Sequence, residues 1–159
     1  MKKLFSFAVF AIISMAAAML VSCSKDDLPK VNITIKTEQP VIDGVVYVVV
    51  GQKLKITDIE VTNLEDGKAA MLNNVTFFWN SIPCGGKQLA PFTHEYEATT
   101  KDDLGKQEIS IICRVLAVGK TLAVAEVIKD VKVVESEDDI PTPTKSGYEI
   151  NVTTQLVAE

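Results

Sequence analysis

From Val31 onward the chain alternates apolar and polar side chains at a period of two, the pattern of a strand with one face buried. Val31-Asn32-Ile33-Thr34-Ile35-Lys36 is the first such run, and Pro40 is expected to end it. Val45 to Val50 is a β-branched run stopped at Gly51. Lys53 to Thr57 resumes the alternation, but at Asp58 the phase shifts to Ile59 and Val61, which predicts a bulge or bend within one strand. Asn74 to Ile82 is the most aromatic strand, with Val75, Phe77 and Trp79 on one face and Phe78 on the other. Pro83-Cys84-Gly85-Gly86 is expected to break the chain, Lys87 to Phe92 to form a weak edge segment, and Thr93 to Ala98 a short strand. The strongest run follows Asp102-Asp103-Leu104-Gly105: Ile109, Ile111, Cys113, Val115 and Ala117 share a face, and a hairpin at Val118-Gly119-Lys120 returns the chain through Thr121 to Val134. No stripe of helical period follows residue 30. The pattern predicts about seven short strands and an all-β fold.

The leading segment is of a different kind. Lys2 and Lys3 precede an apolar run from Leu4 to Val21 that only Ser6 and Ser14 interrupt, with no acidic residue before Asp26. A membrane-spanning helix needs about 20 such residues. The weakly apolar Ala16-Ala17-Ala18 and the abrupt end at Ser22-Cys23 instead favour a cleaved signal peptide over residues 1–22. Leu20-Val21-Ser22-Cys23 resembles the bacterial lipobox, which implies cleavage between Ser22 and Cys23 and lipidation of Cys23 as the first mature residue. Ser24-Lys25-Asp26-Asp27 is similar to the export signal of Bacteroidota surface lipoproteins. Together these imply a chain held in the outer membrane by palmitate-type acyl groups and facing the exterior. Two or three acyl chains make a durable anchor where one is marginal. Residues 23–30 would then be lipidated cysteine and tether.

Removing the leader leaves 137 residues, one domain with room for a core. Losing Lys2 and Lys3 takes the formal charge from −5 to −7, and Arg114 is the lone arginine, which argues against nucleic acid as a partner. With Cys23 assigned to lipid, Cys84 and Cys113 are an even pair in an exported protein. Either they are bridged, contributing roughly 3 to 4 kcal/mol by loop closure, or Cys113 is a buried free thiol on an apolar face and Cys84 a turn residue.

Over roughly Thr37 to Val134 the chain resembles the immunoglobulin-like and polycystic-kidney-disease-type modules of bacterial surface lipoproteins. The residues that carry the likeness are Trp79 as core tryptophan, Asp103-Leu104-Gly105 as the turn before the penultimate strand, and the hairpin at Gly119. It implies a single Greek-key β-sandwich over residues 31–134. Gln107 stands where a tyrosine corner would place Tyr, and no cysteine lies in Lys53 to Val61 for the usual inter-sheet bridge. An acidic, Pro-containing linker over 135–146 leads to a last alternating strand in 147–159, which either pairs beside Val31 to Lys36 or is completed by a partner through strand exchange.

Candidate chemistry is sparse. His94 is the single histidine, and Glu95 beside it on a strand points to the opposite face, so the two form no dyad and His94 reads as a surface or edge residue. Asp102 and Asp103 read as turn formers before they read as a cation site, and two cysteines with one distant histidine do not make a zinc site. No enzyme, cofactor or metal is expected. The expectation is a binding or spacing module, directed to a glycan or another surface protein, with Phe78, Phe92 and Tyr96 as candidate ligand-facing aromatics. The alternative is a structural subunit of a fimbria-like surface assembly joined by strand exchange.

Overall fold

The computed structural model describes residues 28–116, 122–142 and 146–159. The leader, Cys23, the Ser24-Lys25-Asp26-Asp27 segment and the hairpin at Gly119 lie outside the described residues. What is described is all β apart from two single-turn 3-10 helices. The strands are β1 (Lys30–Ile42), β2 (Val45–Val49), β3 (Lys53–Asn63), β4 (Met71–Trp79) and β5 (Ile82–Lys87). They continue as β6 (His94–Ala98), β7 (Gly105–Leu116), β8 (Leu122–Val134), β9 (Ser146–Gln155) and β10 (Val157–Ala158). Eight of these described strands lie at or before Val134, where the periodicity suggested about seven, and β9 and β10 follow the acidic stretch.

The strands form one hydrogen-bonded ladder, β5-β4-β7-β8-β2-β1-β3-β6, with β9 added to β1 and β10 to β8. All pairs are antiparallel except β2 with β8, which is parallel from Val46↔Val131 to Val49↔Val134. The ladder folds over so that its two ends face each other: Phe77 of β4 lies against His94 and Tyr96 of β6. The inward residues of both halves, among them Ile33 and Ile35 of β1, Leu54 and Ile56 of β3, Phe77 of β4, and Ile109 and Ile111 of β7, form one buried cluster. Period-two alternation thus decides which side chains enter the core. Phe77 is fully buried, whereas Trp79, expected at the core centre, is half-buried at its margin.

The phase shift in β3 is a bulge. Lys36 pairs with Asp58 and Thr37 with Ile56, leaving Thr57 unmatched, and both Ile56 and Ile59 consequently face inward. Pro40 does not end β1. Its pairing with β3 stops at Thr37↔Ile56, and β9 skips from Lys36↔Glu149 to Val41↔Gly147, so Pro40 sits where no ladder amide is required. The Gln39 side chain substitutes for the interrupted ladder: its Nε2 donates to Lys53 O at 3.0 Å, and Lys55 N donates to its Oε1 at 2.8 Å.

Pro83 to Gly86 likewise does not break the chain. It lies in edge strand β5, whose register with β4 shifts between Phe77 and Phe78, and an edge tolerates a proline that donates no hydrogen bond. The β4–β5 hairpin turns through Asn80 and Ser81, both at positive φ (47° and 66°), the backbone that matches the right-handed twist of the flanking strands. Lys87 to Phe92, expected as a weak edge segment, is bends and coil once β5 has ended.

The last alternating segment pairs within the chain, β9 running antiparallel to β1 from Lys30↔Gln155 to Ile42↔Ser146. Thr34 Oγ1 donates to Asn151 Oδ1 at 2.7 Å across the outer face, while Ile150 and Leu156 are buried in the core. This seam also fastens the start of the described chain. Gln155 Nε2 donates to the Leu28 carbonyl, Leu156 N to Pro29 O at 3.3 Å, and Leu64 N to Lys30 O at 3.0 Å.

Candidate functional site

The chemistry-bearing side chains converge where the ends of the ladder meet. Alternation on β6 turns His94 and Tyr96 inward and Glu95 and Glu97 outward. β5 brings Cys84 to the same rim. Cys84 Sγ lies 3.6 Å from His94 Nε2, and the thiol donates to the Phe77 carbonyl at 3.3 Å. The imidazole is stacked on Phe77, with centroids 4.3 Å apart and planes within 8°. Tyr96 meets His94 edge-on at 4.5 Å and leans on Trp79 at 5.6 Å. Gly85 makes this seat, because a Cβ there would fall 2.8 Å from His94 Cε1.

Beside the pair opens a cavity of about 280 Å³, lined by Trp79, Cys84, Tyr96, Thr99, Thr100 and Asp103. The Tyr96 hydroxyl is buried and has no hydrogen-bond partner among the described residues. An unsatisfied buried hydroxyl ordinarily costs about 1 to 3 kcal/mol, so it stands out in an otherwise satisfied region. Thr99 Oγ1 donates to Val49 O and to Gln52 O, both at 3.1 Å. The Asp103 carboxylate accepts from Thr100 N at 2.7 Å and Thr100 Oγ1 at 2.9 Å, closing a capping box. Asp103 is therefore committed to the turn. Gln107, at the place of a tyrosine corner, reaches back as that tyrosine would: its Nε2 donates to Asp103 O at 2.7 Å.

Burial pushes the Cys84 thiol above its ordinary pKa and the His94 imidazole below its own. Both groups are neutral at pH 7. These shifts run opposite to those of a thiolate–imidazolium pair, the form of a nucleophilic cysteine.

The disulfide alternative is corrected. Cys84 and Cys113 are both free, Cys84 exposed and Cys113 buried. Cys113 of β7 pairs with Val75 of β4, while Cys84 lies on β5 at the far side of β4. Two strand spacings, roughly 9 to 10 Å, exceed the reach of about 7 Å between bridged Cα atoms. Burial pushes the Cys113 thiol up to about 12.

Of the candidate ligand-facing aromatics, Phe92 and Tyr96 are core residues, 6% and 3% exposed. Phe78 alone of the three is half-exposed, opposite Ser110 on the outer face of β4. His94 does lie on a strand at the end of the ladder, but its ring points inward. The Cys84–His94 pair is not legible in the sequence, because Pro83-Cys84-Gly85-Gly86 has the composition of a chain break. Read instead as an edge strand, that segment faces β6 across a short connection. A wider groove of about 600 Å³ runs between β3 and β4, with Phe92 in its wall and the exposed Met71 and Leu89 at its lip. Among the described residues no helix is long and apolar enough to cross a membrane, and no three His, Cys, Asp or Glu side chains cluster as a metal site.

No protein-family profile matches the chain, and no curated protein matches it. Among solved structures, the fibronectin(III)-like modules of Clostridium thermocellum CbhA are similar to it at 14% identity and a TM-score of 0.40, over 64% of this chain and 97% of that one.

Proposed function

We propose that this chain is a Bacteroidota-type lipoprotein anchored in the outer membrane through lipid on Cys23 and facing the exterior. Its single immunoglobulin-like, Greek-key β-sandwich serves as a non-catalytic binding or spacing module toward a glycan or another surface protein. The observation that carries the reading is the placement of Cys23 after Leu20-Val21-Ser22, five residues ahead of Leu28. Leu28 packs on the core, and its carbonyl is held by Gln155. A lipid on Cys23 would thus hold the sandwich close against the bilayer by the pole where β1 begins and β9 ends. The neutral thiol and imidazole, with Asp103 committed to a cap, support a module that does no acid–base or nucleophilic chemistry.

Metabolic labelling with an alkyne fatty acid tests the anchor: label on the wild-type chain, lost in Cys23→Ser, is the expected result. A labelled Cys23→Ser chain, or an unlabelled wild type, contradicts it. Proteolysis of intact cells tests the orientation, with digestion expected without lysis. Affinity electrophoresis against a panel of glycans tests the ligand class, and uniform absence of retardation removes the glycan version.

A second reading, a fimbria-like subunit joined by strand exchange, draws on the burial of Ile150 and Leu156 from a strand that follows an exposed acidic stretch. Native mass spectrometry with and without residues 141–159 decides it. A monomer in both states counts against exchange.

A further inference from the structure

We propose that Cys84 and His94 form a two-coordinate site for a soft monovalent cation, Cu(I), at the rim where β5 meets β6. A cysteine thiolate is a soft ligand that favours Cu(I), as it does zinc and iron–sulfur clusters, and an imidazole nitrogen suits copper as a second donor. The two donor atoms are 3.6 Å apart. Metal bonds of roughly 2.0 Å to nitrogen and 2.3 Å to sulfur span that separation in a bent arrangement, and a linear one would need the donors to part by roughly 0.7 Å at the exposed β5 edge. Tetrahedral zinc needs donors that are not there, since among the described residues no third His, Cys, Asp or Glu joins the pair. Cu(I), a soft ion of single charge, accepts two donors.

Charge points the same way. As the copper–sulfur bond forms, the thiol proton passes to solvent, so a monocation, a thiolate and a neutral imidazole sum to zero. A divalent ion on the same donors leaves a net positive charge at the site. Tyr96, whose hydroxyl is buried and unpartnered among the described residues, lines the cavity that Cys84 also lines. The seat is shaped as well: Gly85 leaves the space that His94 Cε1 occupies, and a side chain there would displace the ring.

The test uses the full chain in detergent, under anaerobic reducing conditions, competing for Cu(I) against a coloured bidentate chelator. Transfer of one copper ion per chain is expected. Cys84→Ser and His94→Gln should each weaken retention by about tenfold or more, and Gly85→Ala should do so with both donors still present. Cys113→Ala should retain copper as wild type does, and circular dichroism of each variant shows whether the fold is intact. Failure of the wild-type chain to draw copper from the chelator overturns the proposal. So does undiminished retention in a folded Cys84→Ser chain, or Zn(II) held on the same two residues as tightly as Cu(I).

Discussion

The two cysteines of the β-module sit on strands that flank β4, and they differ in every property that matters to chemistry. Cys113 belongs to the middle of the ladder, where β7 is paired on both sides and its inward face is sealed by β1 and β3 residues of the same core. Cys84 belongs to the rim, where β5 has one neighbour and its side chains meet β6 across an open edge. Both thiols are raised by burial, Cys113 far the more. Only Cys84 has a histidine beside it. The centre of such a ladder satisfies its groups and silences them, whereas the rim leaves a thiol, an imidazole and a hydroxyl with bonding capacity to spare.

The contrast is broken first at the centre. Ile111 is fully buried at its middle, and Ile111→Ala should lower unfolding free energy by about 3 to 4 kcal/mol, from the methyl and methylene groups removed and the cavity left behind. Urea denaturation measures it. A change below about 1 kcal/mol would show that the centre is not the tight core described. Next comes the joint between the halves, where Gln39 bridges the interrupted ladder. Gln39→Ala removes two hydrogen bonds to β3 and should cost about 1 to 2 kcal/mol, with slow amide exchange lost at Lys55, the one backbone amide it accepts from. Smallest is the rim itself: Cys84→Ser should move stability by no more than about 0.5 kcal/mol, because Cys84 is exposed and its contacts with Phe77 O and His94 Nε2 are ones that a serine hydroxyl can also make.

Much of the fold was legible as alternation, and the reason is physical. One residue of slip exchanges the faces of a strand, so the change of phase from Ile56 to Ile59 calls for a bulge or bend, and the structure has a bulge. The last segment's pairing with Val31 to Lys36 was open to the same reasoning. Pro40 and Pro83-Cys84-Gly85-Gly86 misled because proline and glycine report the needs of a paired strand interior, and an edge or a bulge does not have those needs. Phe92 and Tyr96 are core residues that periodicity does not place, because an aromatic in a short segment carries no mark of facing in or out. Trp79 kept its neighbourhood but not its depth. The Cys84–His94 contact could not be found by periodicity at all, since it joins the two ends of the ladder and depends on how far the sheet folds over.

The most direct measurement is timed alkylation of the folded chain, read by peptide mass spectrometry at each cysteine. Thiolate is the reacting form, and exposure and burial set the two sites apart. Cys84 should be modified in the native state and protected by stoichiometric Cu(I), while Cys113 should react only when the chain is unfolded. Equal rates at the two cysteines, or a peptide joining Cys84 to Cys113, would contradict the account.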